Sequence, residues 1–266
     1  MFSIYTIAFN VVKNQFDFKE AVENFCFFAE EVVVAVNKSE DGTLEQFLKL
    51  QSTYDNLKIV EANVSYEDPE LDGKLFNIAL GHTTNPYKII LGLDHRISLR
   101  QKDKWIQLAS HLDKTDAFMI PCLELYGDIK KCKYESAGLM WFLHKEGLKR
   151  GVVNFAKRQD GTFDPSKSDS NELIYHDGSL VSSLVVSPLS GYSKNAEDFF
   201  QFLSAVDIYV YHIGYLDLNK RILVNNSIWK DIWENKRGVN NTVPNTIQEL
   251  NKVKTYHHNL KLWNEK

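Results

Sequence analysis

The sequence predicts an α/β fold: a doubly wound, mostly parallel sheet flanked by helices, followed by an irregular C-terminal half. Two observations carry this. Apolar β-branched runs alternate with segments of helical period through the first hundred residues. One of those runs, "EVVVAV" at 31–36, is apolar on both faces, as a strand covered by helices on both sides must be. Right-handed crossovers then give a β-α-β-α-β-α-β order.

The elements follow in turn. "SIYTIAF" (3–9) reads as a strand and "FDFKEAVENFCFFA" (16–29) as a helix, followed by the valine strand. "SEDGT" (39–43) opens the next helix, "LEQFLKLQSTY", with Ser39 or Asp41 able to accept its free N–H groups. "LKIVEA" (57–62), "DGKLFNIALGHT" (72–83) and "YKIILGL" (87–93) give strand, helix and strand. Beyond residue 100 the alternation loosens. "QKDKWIQLASHLDKT" and "AGLMWFLHKEGLKR" are expected as helices and "DAFMIPCLELYG" as extended chain. A polar loop is expected at 158–172, and a hairpin in "ELIYHDGSLVSSLVVS" turning at Asp177-Gly178. "AEDFFQFLSAV" reads as a helix leading into the strand "DIYVYHIGY" (207–215), and amphipathic helices close the chain. With no repeat or linker, one domain over 1–266 is the economical expectation. Its parts are a nucleotide-binding half (1–100), an acceptor half (101–220) and C-terminal helices (221–266).

Composition narrows the function. A formal net charge of −4, with no polybasic run, gives no general pull toward nucleic acid. Three cysteines, Cys26, Cys122 and Cys132, are odd in number and widely spaced, against a disulfide framework or a structural zinc site. A reducing, cytoplasmic setting is expected, with peripheral membrane attachment left open. No apolar run approaches the roughly 18 to 20 residues of a transmembrane helix.

Chemistry concentrates at "LGLDHRISL" (91–99), where Asp94, His95 and Arg96 close an apolar run. Ligands of such sheets bind outside the carboxyl ends of the strands. Adjacent strand residues face opposite ways, so Asp94 and His95 are expected to share a ligand only if the strand has already ended.

The ordered set "KNQF…EAVENFCFFAEEVVVAVNKSEDGT", "DGKLFNIAL", "YKIILGLDHRI" and "YHIGYLDLNKR" resembles the family 2 glycosyltransferases of the GT-A fold over roughly residues 3 to 220. That resemblance implies a nucleotide-sugar donor and a glycan, lipid-linked or protein acceptor, with displacement and inversion at the anomeric carbon. It implies donor contacts from Asn10 and Asn14 after the first strand and from Asn37 and Ser39 after the second. Lys74 and Asn77, on one face of a helix, would meet the diphosphate. An Asp-x-Asp pair would hold Mg²⁺ or Mn²⁺. The acceptor base would be Asp198 in "NAEDFF" or Asp177 in "YHDG".

Two departures qualify the resemblance. Asn37 follows Val36 where the family has an acid that reads the base, and Arg96 stands in place of the second aspartate. Either Arg96 turns away and Asp94 with His212 holds the cation, or the metal is gone and Arg96 grips the diphosphate with its planar fork. The rival readings are a binding or scaffolding module whose chemistry is lost and, ranked last, a nucleotidyltransferase. For each residue there is also a bland alternative: a solvated Lys74, a capping Asp41, turn asparagines and a satisfied His212. His257, His258, Trp229, Trp233 and Trp263 are expected to pack in the C-terminal helices.

Overall fold

The computed structural model describes residues 1–66, 68, 70–133, 139–150, 173–177, 179, 181, 183–185, 196–224, 246, 248, 255–258 and 260–263. Its first half alternates as β1 (Phe2–Ala8), α1 (Phe18–Phe28), β2 (Glu31–Asn37), α2 (Thr43–Gln51), β3 (Leu57–Ala62), α3 (Leu71–Gly81) and β4 (Tyr87–Ile90). A short β5 (His95–Ile97) and α4 (Lys102–Ala109) lead to the long β6 (Ala117–Tyr126). Then come β7 (Lys131–Lys133), β8 (Leu139–Lys145), β9 (Leu148–Arg150), β10 (Leu173–Tyr175) and β11 (Ser183–Val185). The described chain continues through α5 (Ala196–Val206), β12 (Val210–Tyr215), α6 (Leu218–Val224) and β13 (Tyr256–His257).

The sheet begins in the order β3-β2-β1-β4, all parallel. Strand β8 runs antiparallel between β4 and β6, which restores the original direction in β6. Burial explains the layers. Val32, Val33, Val34 and Ala35 are all fully buried, so both faces of β2 are covered. Alternation along β1 sends Phe2 toward Phe28 of α1, and Phe28 in turn meets Trp105 of α4. Tyr5, on the opposite face, meets Phe76 of α3 edge-on at 6.1 Å. Each such aromatic contributes about 1.5–3 kcal/mol by leaving water.

Three local expectations are corrected. Residues 139–150 form β8 and β9 instead of a helix, turning at Gly147 with φ 82°. "LMWFLH" is a short continuous apolar run whose period does not separate strand from helix, and the slot between β4 and β6 selects a strand. The hairpin about Asp177 is local only. Tyr175 donates to the Ser179 carbonyl at 3.1 Å, but β10 then pairs with β9 and β11 with β6. Near the C-terminus, His257 lies in β13, paired with β7, and Trp263 packs on Tyr211 outside any helix. The expected loop at 158–172, Trp229 and Trp233 lie outside the described residues.

Candidate functional site

Strand β1 has β2 on one side and β4 on the other, so the sheet reverses its winding between β1 and β4. Ligands of open parallel sheets bind at the carboxyl end of that reversal. Here β4 ends at Ile90, and a turn through Gly92 closes with His95 N–H donating to the Gly92 carbonyl at 3.0 Å. Because the strand has ended, Asp94 and His95 are free of the alternation rule and their side chains meet: Asp94 Oδ1 lies 3.0 Å from His95 Nδ1.

Pairing completes the cluster. β12 lies antiparallel to β5 and parallel to β6, so His95, His212 and Glu124 occupy one rung across three strands. The two imidazoles stack with centroids 5.1 Å apart. His212 Nε2 is 2.9 Å from Asp94 Oδ2, and its Nδ1 is 3.4 Å from Glu124 Oε1. Two glycines permit this approach. A Cβ at Gly92 would fall 2.6 Å from Asp94 Oδ1, and one at Gly214 would fall 2.7 Å from His212 Nε2.

The electrostatics follow. Burial would raise the Asp94 carboxyl, but His212 and His95 outweigh it and hold it well below the usual carboxylate range. Burial would likewise strip His212 of its proton, yet Asp94 and Glu124 on its two nitrogens push it up to about 9. At neutral pH His212 is therefore an imidazolium between two carboxylates.

Beside Asp94 opens a cavity of about 160 Å³, whose lining includes Phe16, Asp17, Gly214, Lys220 and Arg221. Lys220 Nζ is 2.8 Å from Asp17 Oδ2. The Arg221 guanidinium lies 4.1 Å over the Tyr215 ring and donates to that hydroxyl at 3.0 Å.

Arg96 takes the turned-away alternative. It is fully buried and donates to the carbonyls of Leu93, His95 and Asp17 at 2.8–3.1 Å and to Glu20 at 3.2 Å. A guanidinium so enclosed braces the Asp94 turn against the start of α1, and the expected grip of Arg96 on a diphosphate finds no access. The other candidates are placed as follows. Asn37 is 1% exposed, with its amide bonded both ways to the Val64 backbone. Ser39 accepts from the Asn10 N–H, and Asn14 donates to the Asn10 carbonyl. Asp41 accepts from Lys13 and Thr43, the latter at the start of α2, so these residues knit together the loops after β1 and β2. Lys74 pairs with Asp68 and Glu70, and Asn77 exchanges two hydrogen bonds with the Arg150 backbone. Asp198 on α5 and Asp177, which accepts from Ser179, are exposed and do not line the cavity beside Asp94.

A divalent cation at Asp94 and His212 does not fit this donor set. Both Asp94 oxygens and both His212 nitrogens already face partners inside the protein, and a cation there would have to displace them. Among the described residues no group of three or more His, Cys, Asp and Glu side chains is arranged to hold a metal ion. Nor, among them, is any helix long and apolar enough to cross a membrane.

Sequence reasoning missed Glu124, Lys220 and Arg221. Glu124 had a signal, since it is the one acid inside the apolar run "FMIPCLELY". Lys220 and Arg221 close the quoted segment "YHIGYLDLNKR" without having been singled out.

No protein-family model matches the chain, and no curated protein does. Among solved structures it is similar to S. aureus TarS 1-349, at 15% identity and TM-score 0.41, over 84% of this chain and 68% of that one. It covers 42% of the TarS chain in a further structure. The TarS 1-349 complex with UDP-GlcNAc gives the same identity and TM-score over 85% and 70% of the two chains. Glucosyl-3-phosphoglycerate synthase from Mycobacterium tuberculosis, in complex with Mn²⁺, UDP and phosphoglyceric acid, is similar at 13% identity and TM-score 0.29. That likeness spans 47% of this chain and 43% of that one. Likeness this distant leaves the functional reading to the geometry.

Proposed function

We infer that the chain is a glycosyltransferase that moves a sugar from a nucleotide-diphosphate donor to an acceptor hydroxyl on a glycan, lipid or protein, with inversion. One observation carries the reading: Asp94, an ionised carboxylate, stands at the carboxyl end of β4, at the winding reversal, and opens into a cavity with two cationic side chains. The sequence resemblance points the same way. The donor would lie over the loops after β1 and β2, whose mutual hydrogen bonds hold Asn10, Asn14 and Ser39 in place. Its sugar would approach Asp94, and Asp198 and Asp177 are the alternatives for the base that deprotonates the acceptor.

A second reading, a module that binds nucleotide without turning it over, is favoured by one observation: neither candidate base lines the cavity. A single assay separates the two. Purified protein is incubated with a panel of UDP-, GDP-, CDP- and dTDP-sugars, and release of the nucleoside diphosphate is followed. The transferase reading expects slow donor hydrolysis that falls at least a hundredfold in Asp94→Asn. Nucleotide binding without hydrolysis under any condition would establish the module instead. With an acceptor found, Asp198→Asn and Asp177→Asn distinguish the two bases.

A further inference from the structure

We propose that Lys220 and Arg221 of α6 bind the donor diphosphate directly, taking the place of a divalent cation in this chain. This rests on the transferase reading above and assigns residues that neither the motif nor the resemblance supplied.

Three observations converge. The donor atoms a cation needs already face partners within the protein: Asp94 Oδ2 lies 2.9 Å from His212 Nε2 and Oδ1 lies 3.0 Å from His95 Nδ1, and the second motif position is an arginine buried as a brace. The negative charge of a diphosphate must then be met by something else, and Lys220 and Arg221 both line the cavity that Asp94 enters. A diphosphate diester carries one negative charge on each phosphate; Lys220 and Arg221 meet it in a lining that also holds Asp17, Asp94 and Asp217, so binding requires the diphosphate to displace Asp17 from Lys220.

The present partners of the two side chains suit exchange. Lys220, its own side chain 24% exposed, is held by Asp17, whose side chain is 61% exposed, so the solvent-facing carboxylate is the partner that gives way to a phosphate. Arg221 is held more firmly, with its face on the Tyr215 ring and one edge on the Tyr215 hydroxyl. Tyr215 stacks in turn on Tyr126 at 5.3 Å, which fixes the platform. The Arg221 Nε is buried without a hydrogen-bond partner among the described residues, and Nη2 is the nitrogen that holds the Tyr215 hydroxyl.

The test is calorimetric titration of UDP, GDP, CDP and dTDP into the full chain, with Mn²⁺ and separately with EDTA. The inference expects one nucleotide to bind with affinities within threefold in the two conditions. Lys220→Ala should weaken that binding about tenfold, and Lys220→Ala with Arg221→Gln about a hundredfold. Arg221→Lys keeps the charge but loses the fork and the stacking, and is expected to fall between wild type and the double variant. The unliganded unfolding midpoint of each variant identifies any that fails to fold, and Lys220→Ala, on a short surface helix, provides the check that does not depend on Arg221. Binding that requires Mn²⁺, or that survives unchanged in Lys220→Ala, overturns the inference and leaves the transferase reading standing. No binding of any nucleotide in either condition overturns both.

Discussion

Two histidines in one sheet meet opposite fates. His144, on β8, is fully buried, with Nε2 2.9 Å from the Tyr5 hydroxyl and Nδ1 2.7 Å from the Lys145 carbonyl. The carbonyl can only accept, so Nδ1 carries the proton, and Nε2 is left to accept from Tyr5. Burial dominates there, and with Arg150 and Lys88 nearby the ring is pushed down to about 3 and stays neutral. His212, at the carboxyl edge, has carboxylates on both nitrogens and is pushed up to about 9. The comparison teaches that burial by itself makes neutral histidines in this fold. A charged one needs Asp94 and Glu124 placed on either side of it, which marks that cluster as a built feature.

The largest expected effect tests the charged partner. The His212 folded value lies above its ordinary 6.5, so its stabilisation is complete below that pH and is lost as pH rises toward 9. The decline should be on the order of 3 kcal/mol. Urea unfolding of wild type and His212→Gln from about pH 6 to pH 9 should show the slope in the first and a flat line in the second. Equal slopes would remove the imidazolium from the site.

The neutral partner has the opposite sign. The His144 folded value lies below 6.5, so its contribution is complete above that pH and falls as pH drops toward 3. By about pH 5 the loss is roughly 2 kcal/mol, and His144→Gln should erase that acid limb. Together the two residues put a stability maximum near pH 6.5. The smallest effect sharpens the account of how His144 stays neutral. Tyr5→Phe removes the hydroxyl and strands a buried acceptor, at about 1–2 kcal/mol near neutral pH. Denaturation of this variant at pH 7 measures it, and no loss would mean the Tyr5 contact is incidental.

The same contrast explains what was legible in the sequence. Strands β1 to β4 and helices α1 to α3 were readable because their periodicity is local, and "EVVVAV" declares burial on both faces by itself. Asp94 was readable because it follows a strand at a place the fold reserves for ligands. The pairing of Asp94 with His212, 118 residues away, was available only through the family resemblance, and the Glu124 that completes the cluster was not legible, since it is brought in by the pairing of β12 with both β5 and β6. Side-chain direction was equally hidden. Asn37, Asn77 and Arg96 each carry groups suited to a ligand, and each spends them on backbone. The segment at 139–150 was misread because an apolar run of that length fits either regular structure, and only its neighbours decide.

The brace formed by Arg96 also bears on reversibility. Writing an aspartate back into that position does not recreate an Asp-x-Asp pair. It strips the Leu93, His95 and Asp17 carbonyls of their donor and leaves an anion in a fully enclosed space. Any engineered metal dependence would have to begin elsewhere in the molecule.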